Sequence, residues 1–405
     1  MDKKKKKKLI AKIVLACAAL VLVFSAGYGL GLQHNFDSNS PSNIENSTAG
    51  KPTSVDFSLF WQTWNKVREL YHGSSDPQTM VYGAISGMVA SLGDPYTEFL
   101  TPTNTQALSS DLSGQFEGIG AELTINDNQI TVIAPLTSSP AEKAGIKVKD
   151  IVLQIDGTST ATMTLDQAVN KIRGTAGTSV KLQVQHSGSS QPVEISVTRE
   201  KIDVPSVTYK LINVNNKKIV IISISQFGDS TNSLLEKYAN QAISDRATGI
   251  ILDLRNNPGG YLDSSVFAAG IFLPNDKLVV SEVDKDGQKQ EYKTSGNPIL
   301  KDSPLVVLVN GGSASAAEIL TGAVQDNKRG EIIGEQTFGK GSVQQLVSLP
   351  GGSSLKVTIA NWLTPNGSEI NKVGIKPDII VPLSESDQSA SKDPQLDRAK
   401  TEVVK

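Results

Sequence analysis

Apolar positions change their period several times along the chain, and each change marks a different kind of element. From Leu9 to Leu32 the residues are almost continuously apolar, with Lys12 the one charge. As a helix rising about 1.5 Å per residue, this stretch would reach roughly 36 Å against a bilayer core of ~30 Å, which predicts a transmembrane helix. Residues 33–55 are rich in Ser, Asn, Thr and Pro without an apolar period, the composition of a linker. Phe57, Phe60, Trp61, Trp64, Val67, Leu70 and Tyr71 then recur at spacings of three and four, the stripe of an amphipathic helix, and a second helix is expected over residues 78–92. That stripe suits either packing between the two helices or a surface for a partner subunit.

Beyond residue 113 the pattern becomes strand-like. Runs at 120–125, 130–133, 151–155, 180–184 and 193–197, with helical patterns at 141–144 and 165–173, predict a small, mostly β module with two helices. Residues 201–383 alternate apolar strands (KIVIISI, GIILDLR, PLVVLVN, EIIGEQ) with helical stretches, which predicts an α/β core of buried strands. The polar end, 384–405, is expected to fray.

Charge adds an orientation. Lysines at 3–8 ahead of the apolar stretch make residues 1–8 a cytoplasmic basic tail and send the remainder outward, as a single-pass cell-membrane protein with its main body extracytoplasmic. A signal peptide cleaved near Ser25, Ala26 and Gly27 is the competing reading. Cys17 follows Val14, Leu15 and Ala16 but reads better as a small apolar residue than as a lipidation site. After residue 12 the chain holds 32 Lys+Arg against 40 Asp+Glu, an acidic body that argues against nucleic acid as a partner. One cysteine makes no internal disulfide, and His34, His72 and His186 lie far apart with no HExxH or CxxC. No metal and no cofactor are expected.

Three segments carry chemistry. In PLVVLVNGGSASAAEILTGAVQD a buried strand ends at Asn310, two glycines reverse the chain, and a helix begins near Ala314 or Ser315. A serine there meets free N–H groups and the positive end of the helix dipole, a seat for a nucleophile; the alternative is a plain N-cap, which Ser313 also fits with Glu318 supporting the first turn. In EQTFGKGSVQQLVSL, Lys340 lies between Gly339 and Gly341 ahead of a strand, where burial would lower its pKa and free the amine as a base; a surface turn is the alternative. Gln344 shares strand parity with Lys340 and Ser342, so its amide is expected to orient that amine. In GIILDLRNNPGGYLDSS, the glycines Gly259 and Gly260 let backbone N–H groups approach a ligand, half of an oxyanion hole, or simply make a turn.

Taken together with DPYTEFL (94–100), EGIGAEL (117–123), SPAEKAGIKVKDIVLQIDG (139–157) and KIRGTAGT (171–178), the motifs DLRNNPGG, SASAAE and GEQTFGKGSVQ stand in one order over residues 55–383. In that order the chain resembles the carboxyl-terminal processing peptidases, tail-specific serine proteases that join a PDZ domain to a Ser/Lys core. The resemblance implies a multidomain α/β protein. Its parts would be a transmembrane anchor (9–32), a helical dimerisation segment (56–112), a PDZ domain (113–200), a crotonase-like, ββα-type protease core (201–383) and a flexible tail. It also implies Ser315 as nucleophile, Lys340 as base and Gln344 beside it, at the family's usual 25-residue spacing between Ser315 and Lys340. Ala317 stands where many members have another serine. The oxyanion hole would combine Ala316 with Gly259 or Gly260. Ile119, Gly120 and Ala121 would bind the terminal carboxylate of apolar tails, and Arg173 would couple that occupancy to the core or else be a solvated helix-end charge. Implied partners are peptide or protein substrates with apolar C-termini and a second copy of the chain. The competing functions are a membrane-tethered PDZ adaptor with an inactive core, and acyl-thioester chemistry on the same α/β scaffold.

Overall fold

A computed structural model describes residues 55–405, apart from 127, 137, 385, 388, 389 and 391. The chain divides into two units, meeting after Asp76. In the first unit the aromatic stripe folds as helix α1 (Ser58–Leu70). Phe60 stands edge-on to Trp61 with ring centroids 4.9 Å apart, Trp64 is buried, and Leu59 and Leu70 are exposed.

The expected anchor at residues 9–32 lies outside the described residues. Among the described residues no helix is long and apolar enough to cross a membrane. The assignment to a single-pass cell-membrane protein with an extracytoplasmic body is corrected accordingly.

The second unit opens with α2 (Pro77–Ala90), β1 (Glu98–Leu100) and α3 (Pro102–Ser113). Thr101 starts α3 by accepting the Asn104 N–H at 3.3 Å, and Pro102 fits the first turn, where no N–H is needed. Then comes the β module: β2 (Gln115–Gly118), β3 (Ala121–Asn126), β4 (Gln129–Pro135), α4 (Pro140–Lys143), β5 (Ile151–Ile155), β6 (Thr158–Ser159), α5 (Leu165–Ile172), β7 (Ser179–Gln185) and β8 (Val193–Thr198). Its sheet runs β3-β4-β5-β7-β8, leaving β3 at an edge. Alternate residues Val180, Leu182 and Val184 point into a core shared with Ile130, Val132 and Ile155, the consequence of the period-two pattern. β9 (Glu200–Asp203) returns to pair with β2, so the module's two ends leave side by side.

Past the module lie β10 (Val207–Val214), β11 (Lys217–Ile224), α6 (Thr231–Ser244), β12 (Gly249–Asp253), α7 (Leu262–Phe272), β13 (Leu278–Asp284), β14 (Lys289–Lys293) and β15 (Leu305–Val309). They are followed by α8 (Ala316–Asp326), β16 (Glu331–Gly334), β17 (Ser342–Ser348), β18 (Ser354–Leu363), β19 (Ile379–Ile380) and α9 (Pro394–Glu402). One sheet, ordered β10-β11-β12-β15-β16-β19, is parallel from β11 onward. All five residues of β15 are buried, as a strand covered on both faces requires. Val220 and Ile222 face a large core with α6, α7 and α8, whereas Ile219 and Ile221 face a second core on the other side.

That second core corrects the expectation of a frayed end. Ala399 and Val403 of the C-terminal segment are buried against Ile251, Val306 and Leu308, because the apolar back of the parallel sheet must be shielded from water. Asp393 caps α9 by accepting the Leu396 N–H at 2.9 Å.

A second, antiparallel sheet, β1-β18-β13-β14 with β17 on the other side of β18, was not visible in the apolar alternation. Its hairpin sequences LVVSEVD and KQEYK are half polar, because much of the sheet's surface stays exposed. Trp362, Ala360 and Val343 of this sheet close the large core from the side opposite the parallel strands.

Candidate active site

β12 and β15 are parallel neighbours, with Asp253 opposite Leu308, so the loops that follow them emerge together at the carboxyl edge of the sheet. Side chains stitch these two loops. Asn310 Oδ1 accepts the Asn256 N–H at 2.8 Å and the Gly312 N–H at 3.0 Å, while its amide donates to Asn256 Oδ1 at 2.8 Å. Ser313 is fully buried and donates to the Leu254 carbonyl at 2.8 Å. It is therefore a tie between loops, and the helix cap falls two residues later.

Ser315 occupies that cap position with φ 52° and ψ −116°, a left-handed backbone unusual for a residue with a side chain. The conformation turns the strand sharply into α8 and leaves the hydroxyl lining a cavity of about 900 Å³. Gly259 lies against it: a Cβ there would sit 2.7 Å from Ser315 Cβ and 3.0 Å from the Ala316 nitrogen. Gly260 is equally constrained, since its Cβ would meet the Phe227 carbonyl oxygen at 2.1 Å.

Backbone donors distinguish the two glycines. The Gly259 N–H is already engaged, donating to Asn257 Oδ1 at 2.8 Å, and Asn257 is in turn fixed by its amide donating to the Ile224 carbonyl at 2.8 Å. Gly260 is exposed, and its N–H and that of Ala316 at the start of α8 have no acceptor among the described residues.

Lys340 arrives from the loop after β16. Gly341 permits its approach, because a Cβ there would lie 2.1 Å from the Asn371 nitrogen, and the Phe338 N–H donates to the Ser313 carbonyl at 3.0 Å. Beneath both loops lies Glu318, with none of its surface exposed. Its carboxylate accepts four hydrogen bonds: from Ser315 N–H (2.9 Å), Thr337 hydroxyl (2.6 Å), Gly339 N–H (2.7 Å) and Lys340 N–H (2.9 Å). This one side chain fixes the serine loop and the lysine loop to each other. Only its contact with the Ser315 N–H was readable in sequence, from the three-residue capping spacing.

Burial holds the Lys340 amine below the ordinary lysine pKa, and the positive charge of Lys356 adds to the effect, while Glu98 and Glu318 oppose it. Lys340 Nζ lies 5.3 Å from the centroid of the Tyr96 ring and makes no hydrogen bond among the described residues. Gln344 lines the same cavity, but its amide donates to Ser342 Oγ at 2.7 Å and Thr358 Oγ1 at 3.4 Å. The expected orienting bond from Gln344 to Lys340 is corrected: the shared strand face brings Gln344 to Ser342 instead.

Within the β module, Gly120 adopts φ 74° where a Cβ would lie 2.6 Å from Ser139 Cβ. The carbonyls of Ile119 and Gly120 accept from Ala141 and Leu136 at 2.8 Å each, and their N–H groups have no acceptor among the described residues. Ala121 begins the edge strand directly after them. Arg173, the C-cap of α5, reaches out of the module: its guanidinium stands 5.3 Å from the Phe116 ring centroid and 3.3 Å from Asp111 of α3. The Asp111 carbonyl accepts from Gln226 at 3.0 Å, and Asp111, Leu112 and Gln226 line the cavity that holds Ser315.

Comparison with known proteins follows the same layout. The profile of peptidase family S41 matches residues 218–381, a PDZ domain profile residues 109–185, and that of the activating protease CtpB N-terminal domain residues 22–103. A probable CtpA-like serine protease of Staphylococcus haemolyticus is 43% identical over 310 residues, covering 76% of this chain and 61% of that protein. A Staphylococcus aureus counterpart is 41% identical over 313 residues, covering 77% and 62% respectively. The chain thus spans about three-fifths of the length of these relatives. Among solved structures, a photosystem II D1 C-terminal processing protease superposes with a TM-score of 0.52 at 34% identity, over 81% of this chain and 89% of that one. A putative S41 protease from Bacteroides fragilis gives 0.57 at 16% identity over 84% and 96%, a likeness of fold alone.

Proposed function

Since the chain belongs to peptidase family S41, we propose that it is a serine endopeptidase in which Ser315 is the nucleophile and Lys340 the general base. The observation that carries this reading is the pairing, in one cavity, of a serine on a strained turn with a lysine whose pKa burial holds below its usual value. Uncharged, the amine accepts the Ser315 proton as the oxygen attacks a peptide carbonyl. The oxyanion then meets the free N–H groups of Ala316 and Gly260, with Gly259 serving as the close-packed floor rather than a donor. Lys340 returns the proton to the leaving amine and afterwards draws one from water to release the acyl group. Gln344 supports the site through Ser342.

Turnover of casein, lost on treatment with a serine-reactive fluorophosphonate that labels Ser315, tests this reading; an unlabelled Ser315 or inert protein would leave the peptide-binding adaptor in its place. Gly259→Ala provides a geometric check. The added methyl must displace Ser315 by some tenths of an ångström, so kcat is expected to fall about 100-fold with KM little changed.

Substrate choice belongs to the PDZ domain. Ile119, Gly120 and Ala121 offer N–H groups to a terminal carboxylate, and an apolar tail would add to the edge of β3. Arg173 would report that occupancy to the cavity through Asp111 and the end of α3. Amidating the C-terminus of a model substrate should slow its cleavage about tenfold, through loss of charge-assisted hydrogen bonds. Equal rates for the amidated and free peptides would remove the PDZ domain from tail selection.

A further inference from the structure

The motif DPYTEFL takes no part in the chemistry above, yet it lies beside the amine on which that chemistry depends. Asp94 folds it into a tight turn, accepting the Tyr96 N–H at 3.1 Å and the Thr97 hydroxyl at 2.6 Å. Thr97 in turn accepts the Thr358 N–H at 3.0 Å, pinning the turn to β18. The result holds the Tyr96 ring 5.3 Å from Lys340 Nζ. Two residues on, Glu98 pairs in register with Lys356 across β1 and β18, and their side chains form an ion pair at the cavity wall.

We propose that residues 94–98 are a positioning element for Lys340: the Tyr96 ring shields and places its amine, and the Glu98–Lys356 pair sets the local field. This inference rests on Lys340 being the general base. The titratable groups facing the amine are Tyr96 on the turn, Glu98 on β1, Lys356 on β18 and Glu318 on α8. Lys356 disfavours the ammonium and Glu98, more weakly, favours it, so the two partners of the pair pull the amine in opposite directions. Breaking it from either side unbalances the amine in a known direction. Without Glu98 the cation of Lys356 is left facing the amine alone; without Lys356 the anion of Glu98 is.

The test is the acid limb of the kcat/KM–pH profile. Glu98→Gln should move it down by about half a pH unit and Lys356→Met up by about as much. Tyr96→Ala, which admits water to the amine, should move it up by about one pH unit and lower kcat about tenfold with KM little changed, and Tyr96→Phe should restore it. Movement of the limb in one common direction for the Glu98 and Lys356 variants overturns the proposal, as does a fixed limb together with a fixed acetylation profile of Lys340. These two surface substitutions keep the test alive if Tyr96→Ala fails to fold.

A second measurement is independent of turnover: competitive acetylation of Lys340 as a function of pH, read by mass spectrometry in a Ser315→Ala background. Acetylation profiles that shift with the three variants while the cleavage limb stays fixed would uphold the placement and remove Lys340 as the base. Profiles that do not shift would overturn the placement itself.

Discussion

Ser315→Ala and Lys340→Met will each lower peptide cleavage by at least about 10⁴-fold while leaving thermal unfolding nearly unchanged. The Ser315 hydroxyl and the Lys340 amine line the cavity wall, and the amine holds no structural hydrogen bond among the described residues, so neither removal opens a polar gap. On the proposed mechanism both groups act in one proton transfer, so the double variant should be no slower than the worse single one. The pH dependence follows from the sign of the shift. Burial, then Lys356, depresses the Lys340 pKa, and the base is the neutral amine. Cleavage should therefore fall as the pH drops through that depressed value and level off above it. Proteolysis close to wild type in either single variant would refute the assignment.

Glu318 should give the largest combined loss of stability and activity. Its carboxylate is fully buried and every bond it accepts comes from the two loops it joins. Glu318→Gln replaces one acceptor oxygen with a donor, which opposes either the Ser315 and Lys340 N–H groups or, turned the other way, the Gly339 N–H and a Thr337 hydroxyl that must give up its present donation. With each such buried mismatch costing 1–3 kcal/mol, the expected loss is about 3 kcal/mol. Cleavage should fall about 100-fold, because the loops carrying Ser315 and Lys340 are no longer tied at their nitrogens. Thermal melts alongside steady-state rates decide it; a melt and a rate both equal to wild type would show that the four bonds are dispensable.

What the sequence disclosed, and what it withheld, divides along physical lines. Elements whose pattern is set by burial were legible: the apolar strands GIILD and LVVLV, and the helix after the double glycine, stand where periodicity put them. The antiparallel sheet was not, because KQEYK on its rim carries no apolar signature. In the site, residue types alone left a cap or a surface turn as alternatives for the segments of Ser315 and Lys340, and the resemblance to the processing peptidases made these two the candidates. Which glycine leaves its N–H open was not readable, as that turns on the Asn257 side chain reaching back to Gly259. Nor was the partnership of Glu318 with Thr337 and Gly339, nineteen and twenty-one residues away, since only folding brings them together. The docking of α9 was hidden by its charged surface, in which only Leu396 and Ala399, with Val403 and Val404 just past its end, give the packed side an apolar character.

The strand that completes the antiparallel sheet comes from ahead of the PDZ domain, and Glu98 finds its partner Lys356 only 258 positions later. On the ribosome, then, the inserted domain can fold while the catalytic half is still being made, and the surroundings of Lys340 can close only once β18 has been made. A nascent chain of this protein would stay proteolytically silent until β18 had emerged. Any shortened version meant to cut peptides would have to keep residues 94–100, however far they stand from the serine in the gene.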